Sequence, residues 1–473
     1  MASPTVNSPA TPPLTGRELF ALVLGLFLGL ALLKFGNPVI LDGRIPAPTS
    51  LMEALSLTQP WPTRWGNWLM LALAAVGALL GATSRNRGSL GRGLTLLPLG
   101  WFGWQCLSAT ATVDAELTAT TLLHFVAVVA AYFLGAWVIP TQRGLSLLLV
   151  GLLAALSVCL VRAVNQRLVE FPQDRLTLVE GERTGWTNFP PESLRQMKAE
   201  SLVITTNGAD IANPVIVAKL TKGRVHGTLV YPNALAGILL LLGPLALVLA
   251  VTGTSALRPV TRWGVVGLAV FLLGAGFFWT GSKSGWLIGL GVGGLWLLRL
   301  PWSPRLKAVA VALVLVGGLA AFGLRFRSYF AAGATSVGAR FDYWRAAVQT
   351  TVERPLLGTG PGTFQRPYAR LKAPESEMAR LTHNDYLEQF SDSGVPGGLL
   401  FLGWVTWLFA TLSKRVWRPE TAPLDFALFC GLAGWFAQGF AEFALYIPAL
   451  AWTAFLLGGV LLARTHRDSR VVR

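Results

Sequence analysis

Long, nearly uninterrupted apolar runs alternate with short polar stretches along almost the whole chain. Twelve are evident, near 18–35, 67–83, 93–109, 119–139, 144–163, 228–250, 263–280, 284–300, 306–325, 395–413, 425–440 and 445–463. A stretch of about 17–25 apolar residues crosses the hydrocarbon of a bilayer as a helix, which bonds every backbone polar group within its own segment. The pattern predicts an all-α polytopic membrane protein with about twelve transmembrane helices. Two longer polar stretches, 164–227 and 326–394, interrupt the rhythm and divide the chain into seven parts. These are a disordered tail (1–17), helices one to five (18–163), a first outer loop (164–227), helices six to nine (228–325), a larger outer loop (326–394), helices ten to twelve (395–463) and a basic tail (464–473). A long loop in a compact fold is usually functional or disordered. Here the β-like run 201–206, an amphipathic helical pattern near 337–352 and the turn-rich stretch 358–362 predict ordered structure.

Composition narrows the class. Of 473 residues, 53% are hydrophobic and 13% charged, with a mean hydropathy of +0.54. A soluble chain carries about a quarter charged residues, so an ordinary cytosolic enzyme and a disordered chain are excluded. Cys106, Cys159 and Cys430 lie inside apolar runs, which argues against a disulfide framework or zinc cluster.

The net charge of +16 would suit nucleic acid, but its placement does not. Basic residues crowd alternate short loops: Arg85, Arg87 and Arg92; Arg143; Arg258 and Arg262; Arg299, Arg305 and Lys307; Lys414, Arg415 and Arg418; and the tail from Arg464. The opposite short loops are nearly free of them: 110–118 holds Asp114 and Glu116 only, and 441–444 holds Glu442. The positive-inside rule then puts both termini in the cytoplasm and both long loops outside, with no nucleic-acid partner. The first sixteen residues have no basic n-region, so the first run reads as an uncleaved anchor.

Three polar clusters fall on the outer side. One is Arg224-Val225-His226-Gly227, leading to Tyr231-Pro232-Asn233; the second is Thr280-Gly281-Ser282-Lys283. The third lies in the larger loop, with Arg340, Trp344, Pro355 to Gly362, and His383-Asn384-Asp385. Singly, interfacial Arg and Lys snorkel toward lipid phosphates, Trp and Tyr form the aromatic belt, and Gly and Pro make turns. Together they suit a lipid-linked phosphate: guanidinium forks and an ammonium for the anion, and a histidine to take a proton from a hydroxyl. No His-x-x-x-His or Cys-rich spacing supports a metal, and no Walker signature supports an ATP-driven motor. His124, alone in an apolar run, reads as a packing residue. His466 is on the cytoplasmic side.

These residues resemble the O-antigen ligases and their polymerase relatives. His383-Asn384, followed by Asp392, Gly394 and Gly397, is similar to that superfamily's His-Asn and acidic-x-Gly-x-x-Gly signature. Arg340 with Trp344 and Pro355 to Gly362 looks like its Arg-x-x-x-Trp and Pro-Leu-Leu-Gly-x-Gly-x-Gly segment. Arg224 and Gly227 with Asn233 resemble the motif opening its middle span, and Ser282-Lys283 stands where the family often has Ser-Arg, the Lys being a departure. The resemblance covers roughly 224–400 by motif. It implies a GT-C-type glycosyltransferase of the bacterial inner membrane, active on the periplasmic face without cofactor or obligatory metal. The donor would be a polyprenyl-diphosphate-linked glycan and the acceptor lipid A–core or another glycolipid. His383 would assist the acceptor hydroxyl, and Arg340, Arg224 and Lys283 would hold the diphosphate, with His226, Asn233, Ser282, Trp344, Asn384, Asp392, Gly394 and Gly397 in support.

A polymerase of the same superfamily would share these motifs. A ligase for protein hydroxyls often has an additional C-terminal soluble domain, which the sequence does not show after 463. A lipid-linked glycan transporter fits twelve spans, but it calls for polar sites near the bilayer midplane, and the apolar runs hold few charges and show no internal repeat.

Overall fold

The computed structural model describes residues 13–82, 91–139, 141–331 and 333–471. Most of the expected disordered tail, Arg85, Arg87 and the side chains beyond Thr465, His466 among them, lie outside the described set.

Each of the twelve apolar runs coincides with a helix. In chain order these are α1 (Gly16–Lys34), α2 (Thr63–Ala82), α3 (Arg92–Ser108), α4 (Ala115–Val138), α5 (Gln142–Asn165) and α6 (Pro232–Gly253). There follow α7 (Pro259–Thr280), α8 (Lys283–Arg299), α9 (Pro304–Arg325), α10 (Asp385–Val416), α11 (Pro423–Gln438) and α12 (Pro448–Val471). Among the described residues eight helices are long and apolar enough to cross a membrane; α2, α3, α8 and α11 are shorter or less apolar. The chain is a multi-pass membrane protein.

Local sequence explains where several helices begin. Thr15 and Glu18 close a capping box at α1. Proline occupies the first turn of α6, α7, α9 and α11, where its missing N–H costs nothing. Between helices, lipid supplies no hydrophobic drive, so close packing of small residues does the work. A Cβ at Gly25 or Gly151 would run into the backbone of the other helix across the α1–α5 contact, and one at Gly135 would strike the Leu456 carbonyl across α4–α12. The hub is α12, with 94% of its apolar window buried, whereas α9 buries none of its own and lies at the periphery.

The first long polar stretch is not a loop at its start. Helix α5 runs through a π-turn at Gln166–Glu170 into Phe171–Arg183, a continuous rod of 42 residues. The β-like run pairs as Val203–Thr206 with Ala209–Ala212, antiparallel, across Asn207-Gly208. Both turn residues have positive φ (+53° and +79°), the pattern that favours Asn-Gly in two-residue hairpins. Leu178, Trp186, Val203 and Ala212 give this region its own small core.

Helix α10 departs most from expectation. The sequence placed its start at 395, but the helix begins at Asp385 and bends at Ser393 and Gly394. Eight residues that read as polar loop are a buried helical segment carrying Asp385, Glu388 and Asp392 at i, i+3 and i+7, one face of a helix.

Gly394 has φ +71°, and a Cβ there would meet the carbonyls of Pro355 and Leu356. The bend thus lets the turn after Pro355 lie directly on α10, with Val395 N donating to Pro355 O (2.7 Å). Gly394→Ala is expected to destabilise the protein by about 1–3 kcal/mol, from positive-φ strain and overpacking. Thermal unfolding in detergent would measure it, and an unchanged midpoint would show that the bend is not needed.

Candidate active site

The three outer clusters converge. Arg224 and Asn233 precede or open α6, Lys283 opens α8, and Arg340 and Tyr343 lie on a helix, Thr335–Glu353, that matches the predicted amphipathic segment. With His383 and Glu377 they line one cavity of about 180 Å³.

His383 sits at φ +53°, a left-handed conformation uncommon outside glycine. Its neighbours hold it there. Asn384 is the N-cap of α10, its Oδ1 accepting from the backbone N–H groups of Tyr386 (3.1 Å) and Leu387 (3.0 Å). On the other side, Thr382 donates from N (2.8 Å) and Oγ1 (2.9 Å) to the buried Glu388 carboxylate. The imidazole stacks on Tyr343 (5.9 Å between centroids) and meets Phe443 edge-on (4.7 Å).

Glu442 organises the cluster, and the sequence reading used it only as a loop charge. It lies in the 439–447 turn between α11 and α12, and its side chain is 1% exposed. Oε1 accepts from Arg340 Nη2 (2.6 Å) and Asn233 Nδ2 (2.6 Å); Oε2 accepts from the Tyr231 hydroxyl (2.8 Å) and faces His383 Nδ1 at 3.4 Å. Burial opposes its ionisation, but hydrogen bonding and charge from His383, with Arg340 and Tyr231, prevail and hold the carboxyl below its ordinary range. An ionised Glu442 facing Nδ1 favours the tautomer with hydrogen on Nδ1, leaving Nε2 as a base. Asp385 ties down the same turn: its carboxylate accepts from Leu445 N (3.2 Å) and its N–H donates to Gly439 O (2.7 Å).

The cations are arranged differently from one another. Arg224 donates from Nε to Thr280 O (2.7 Å) and from Nη2 to Asn233 Oδ1 (2.7 Å), and burial pushes its pKa down. Lys283 Nζ rests 3.8 Å from the centre of the Tyr329 ring, a cation–π contact, with no carboxylate in ion-pair distance among the described residues. Glu377, the carboxylate in the lining, accepts from the Tyr343 hydroxyl at 2.5 Å. Three cations therefore face two carboxylates, both engaged, in a cavity suited to an anion.

Several motif residues support the site without entering it. Asp392 is fully buried and accepts from Gly362 N (2.7 Å) and the Tyr446 hydroxyl (3.0 Å), binding the Gly-rich turn to α10. A Cβ at Gly397 would clash with Ser393. Ser282 caps α8 through Gly285 N (3.3 Å). His226 is tied to Leu229 O (2.7 Å) and Gln166 (3.3 Å) outside the cavity, and Trp344 packs on Phe341; Tyr343, next to it, is the residue in the lining. His124 is buried with Nε2 2.8 Å from Leu445 O, as a packing histidine would be.

The fold and cavity define a helical multi-pass membrane protein with a cationic pocket, a positioned histidine and a buried acid behind it. Residues 268–402 match the family model described as O-antigen ligase, which bears out the resemblance to that superfamily over this segment. The match includes Lys283, Arg340 and His383 and leaves Arg224, Asn233 and Glu442 outside. No curated protein matches the chain.

Proposed function

We propose that the protein transfers a glycan from polyprenyl diphosphate to a hydroxyl of a membrane glycolipid, as an O-antigen ligase does, with lipid A–core as the leading acceptor. The observation that carries this is one cavity holding three cations beside a histidine whose Nδ1 faces a buried carboxylate. The acceptor oxygen attacks the anomeric carbon while its proton passes to His383 Nε2. The bond from that carbon to the diphosphate oxygen breaks, and polyprenyl diphosphate leaves with the electron pair. Arg224, Lys283 and Arg340 hold the charge that develops on it. Confining both substrates to one leaflet supplies much of the rate gain.

An apolar groove of about 370 Å³ between α6, α7 and α8 supports the reading. These helices also carry Asn233 and Lys283 at the cavity, so a prenyl chain would enter lipid beside its diphosphate. In this reading all twelve helices cross a bacterial inner membrane in a GT-C-type architecture, both termini are cytoplasmic, and the cavity faces the periplasm. No cofactor takes part.

Transfer by purified protein from polyprenyl-diphosphate glycan to lipid A–core, with and without chelator, tests this. Longer glycan still on polyprenyl diphosphate would show a polymerase instead, and no product with glycolipid, lipid-linked or protein acceptors would end the transferase reading. Arg224→Ala is expected to weaken donor binding about 10–150-fold, since a hydrogen bond to a charged group contributes about 1.5–3 kcal/mol. Unchanged affinity for polyprenyl diphosphate would remove Arg224 from the diphosphate site.

A further inference from the structure

The loop that carries His383 also contributes to a second cleft, of about 220 Å³, lined by the Val39–Arg44 turn, the start of α4, the helix Gln365–Leu371 and Arg380. Two of its acids are already satisfied. Asp42 accepts from Thr63 Oγ1 (2.8 Å) and Arg64 N (2.9 Å); Asp114 accepts from Leu117 N (3.1 Å) and Arg366 Nε (2.7 Å). Arg44 and Arg380 differ: among the described residues neither side chain has a hydrogen-bond partner or a carboxylate within ion-pair distance. Partial burial, then the neighbouring Arg44 charge, pushes the Arg380 pKa down, so the two guanidiniums are near enough to repel. A like-charged pair in a cleft is relieved when an oxyanion bridges it. Glu116, in the same lining, has no side-chain partner among the described residues and can accept from hydroxyls.

We propose that this cleft is a saccharide subsite in which Arg44 and Arg380 grip a phosphate or carboxylate carried by the acceptor sugar. The proposal rests on the transfer reading, which requires a second substrate, and the smaller cavity is already committed to the diphosphate and the base. Two residues separate Arg380 from His383, so three consecutive Cα–Cα steps of about 3.8 Å keep their Cα atoms within about 11 Å of one another. An acceptor held at the cleft therefore has its next hydroxyls within reach of the histidine. Charged side chains with both donors and acceptors suit a hydroxyl-rich ligand, and a guanidinium pair selects the anionic one.

The test measures binding directly, with the full chain in nanodiscs of zwitterionic lipid and glucose 6-phosphate, glucose and inorganic phosphate as probes. Glucose 6-phosphate is expected to bind about tenfold more tightly than either of the others. The double variant Arg44→Gln, Arg380→Gln is expected to lose that preference and to retain polyprenyl diphosphate binding. Equal binding of inorganic phosphate would mean an oxyanion site without sugar recognition. An effect of the substitutions seen only in nanodiscs with anionic lipid would mean a headgroup contact. Either result, or no binding of glucose 6-phosphate by the unsubstituted protein, overturns the proposal. Binding without any glycan transfer would sink the ligase reading and leave the cleft, whereas transfer without sugar-phosphate preference would do the reverse.

Discussion

His383→Ala is expected to lower glycan transfer by about 10²–10⁴-fold, the range a positioned general base contributes. Protein yield and donor binding should stay close to the parent's. The imidazole is 28% exposed and its one polar contact among the described residues is the 3.4 Å approach to Glu442. Truncation therefore removes chemistry without opening the core. Added imidazole should restore part of the rate, because the cavity keeps the space the ring filled. Parent-like transfer at matched expression would show that His383 takes no proton.

Glu442→Gln should have a comparable effect by a different route. The amide keeps the shape but removes the charge that orders His383 and balances Arg340. The expected result is a fall in kcat of about 10²-fold or more, with donor KM unchanged or lower because the cations lose their internal partner. A raised KM at unchanged kcat would count against the orienting role. Stability should respond to pH with a definite sign. The folded pKa of Glu442 is depressed below 4.5, so its ionised form stabilises the fold above that value and the contribution fades as pH falls through the folded pKa. The melting difference between parent and Glu442→Gln should therefore be present at neutral pH and shrink in acid, and a pH-independent difference would contradict it.

Arg340 connects both predictions, since its guanidinium lines the cavity and bonds Glu442. A pair of which one partner is 1% and the other 18% exposed is costly to break from one side. Loss of transfer in Arg340→Ala therefore combines lost donor contact with a buried, unbalanced carboxylate. Arg340→Lys, which keeps the charge and loses the planar fork, separates the two effects.

By itself the sequence determined the membrane class, because the length and apolarity of a run decide whether it can leave water without tertiary help. Each of its twelve apolar runs falls on a helix, and the hairpin was visible as a β-like run. The sequence also marked Arg224, Lys283, Arg340 and His383, which lie in segments that resemble the superfamily's motifs, Lys283 standing where the family often has Arg. Only the tertiary structure decided that these four line one cavity with Asn233, since nothing local relates positions 224, 283, 340 and 383. It moved the start of α10 back to Asp385, because buried partners such as Thr382 and Leu445 can satisfy acids that by hydropathy alone belong in water. It also separated Tyr343, in the lining, from Trp344, the motif residue beside it. Glu442 shows the limit most clearly. In sequence it is a lone charge in a short loop, indistinguishable from a solvated one. Its role comes from four partners at positions 231, 233, 340 and 383, brought around it by the packing of helices far apart in the chain.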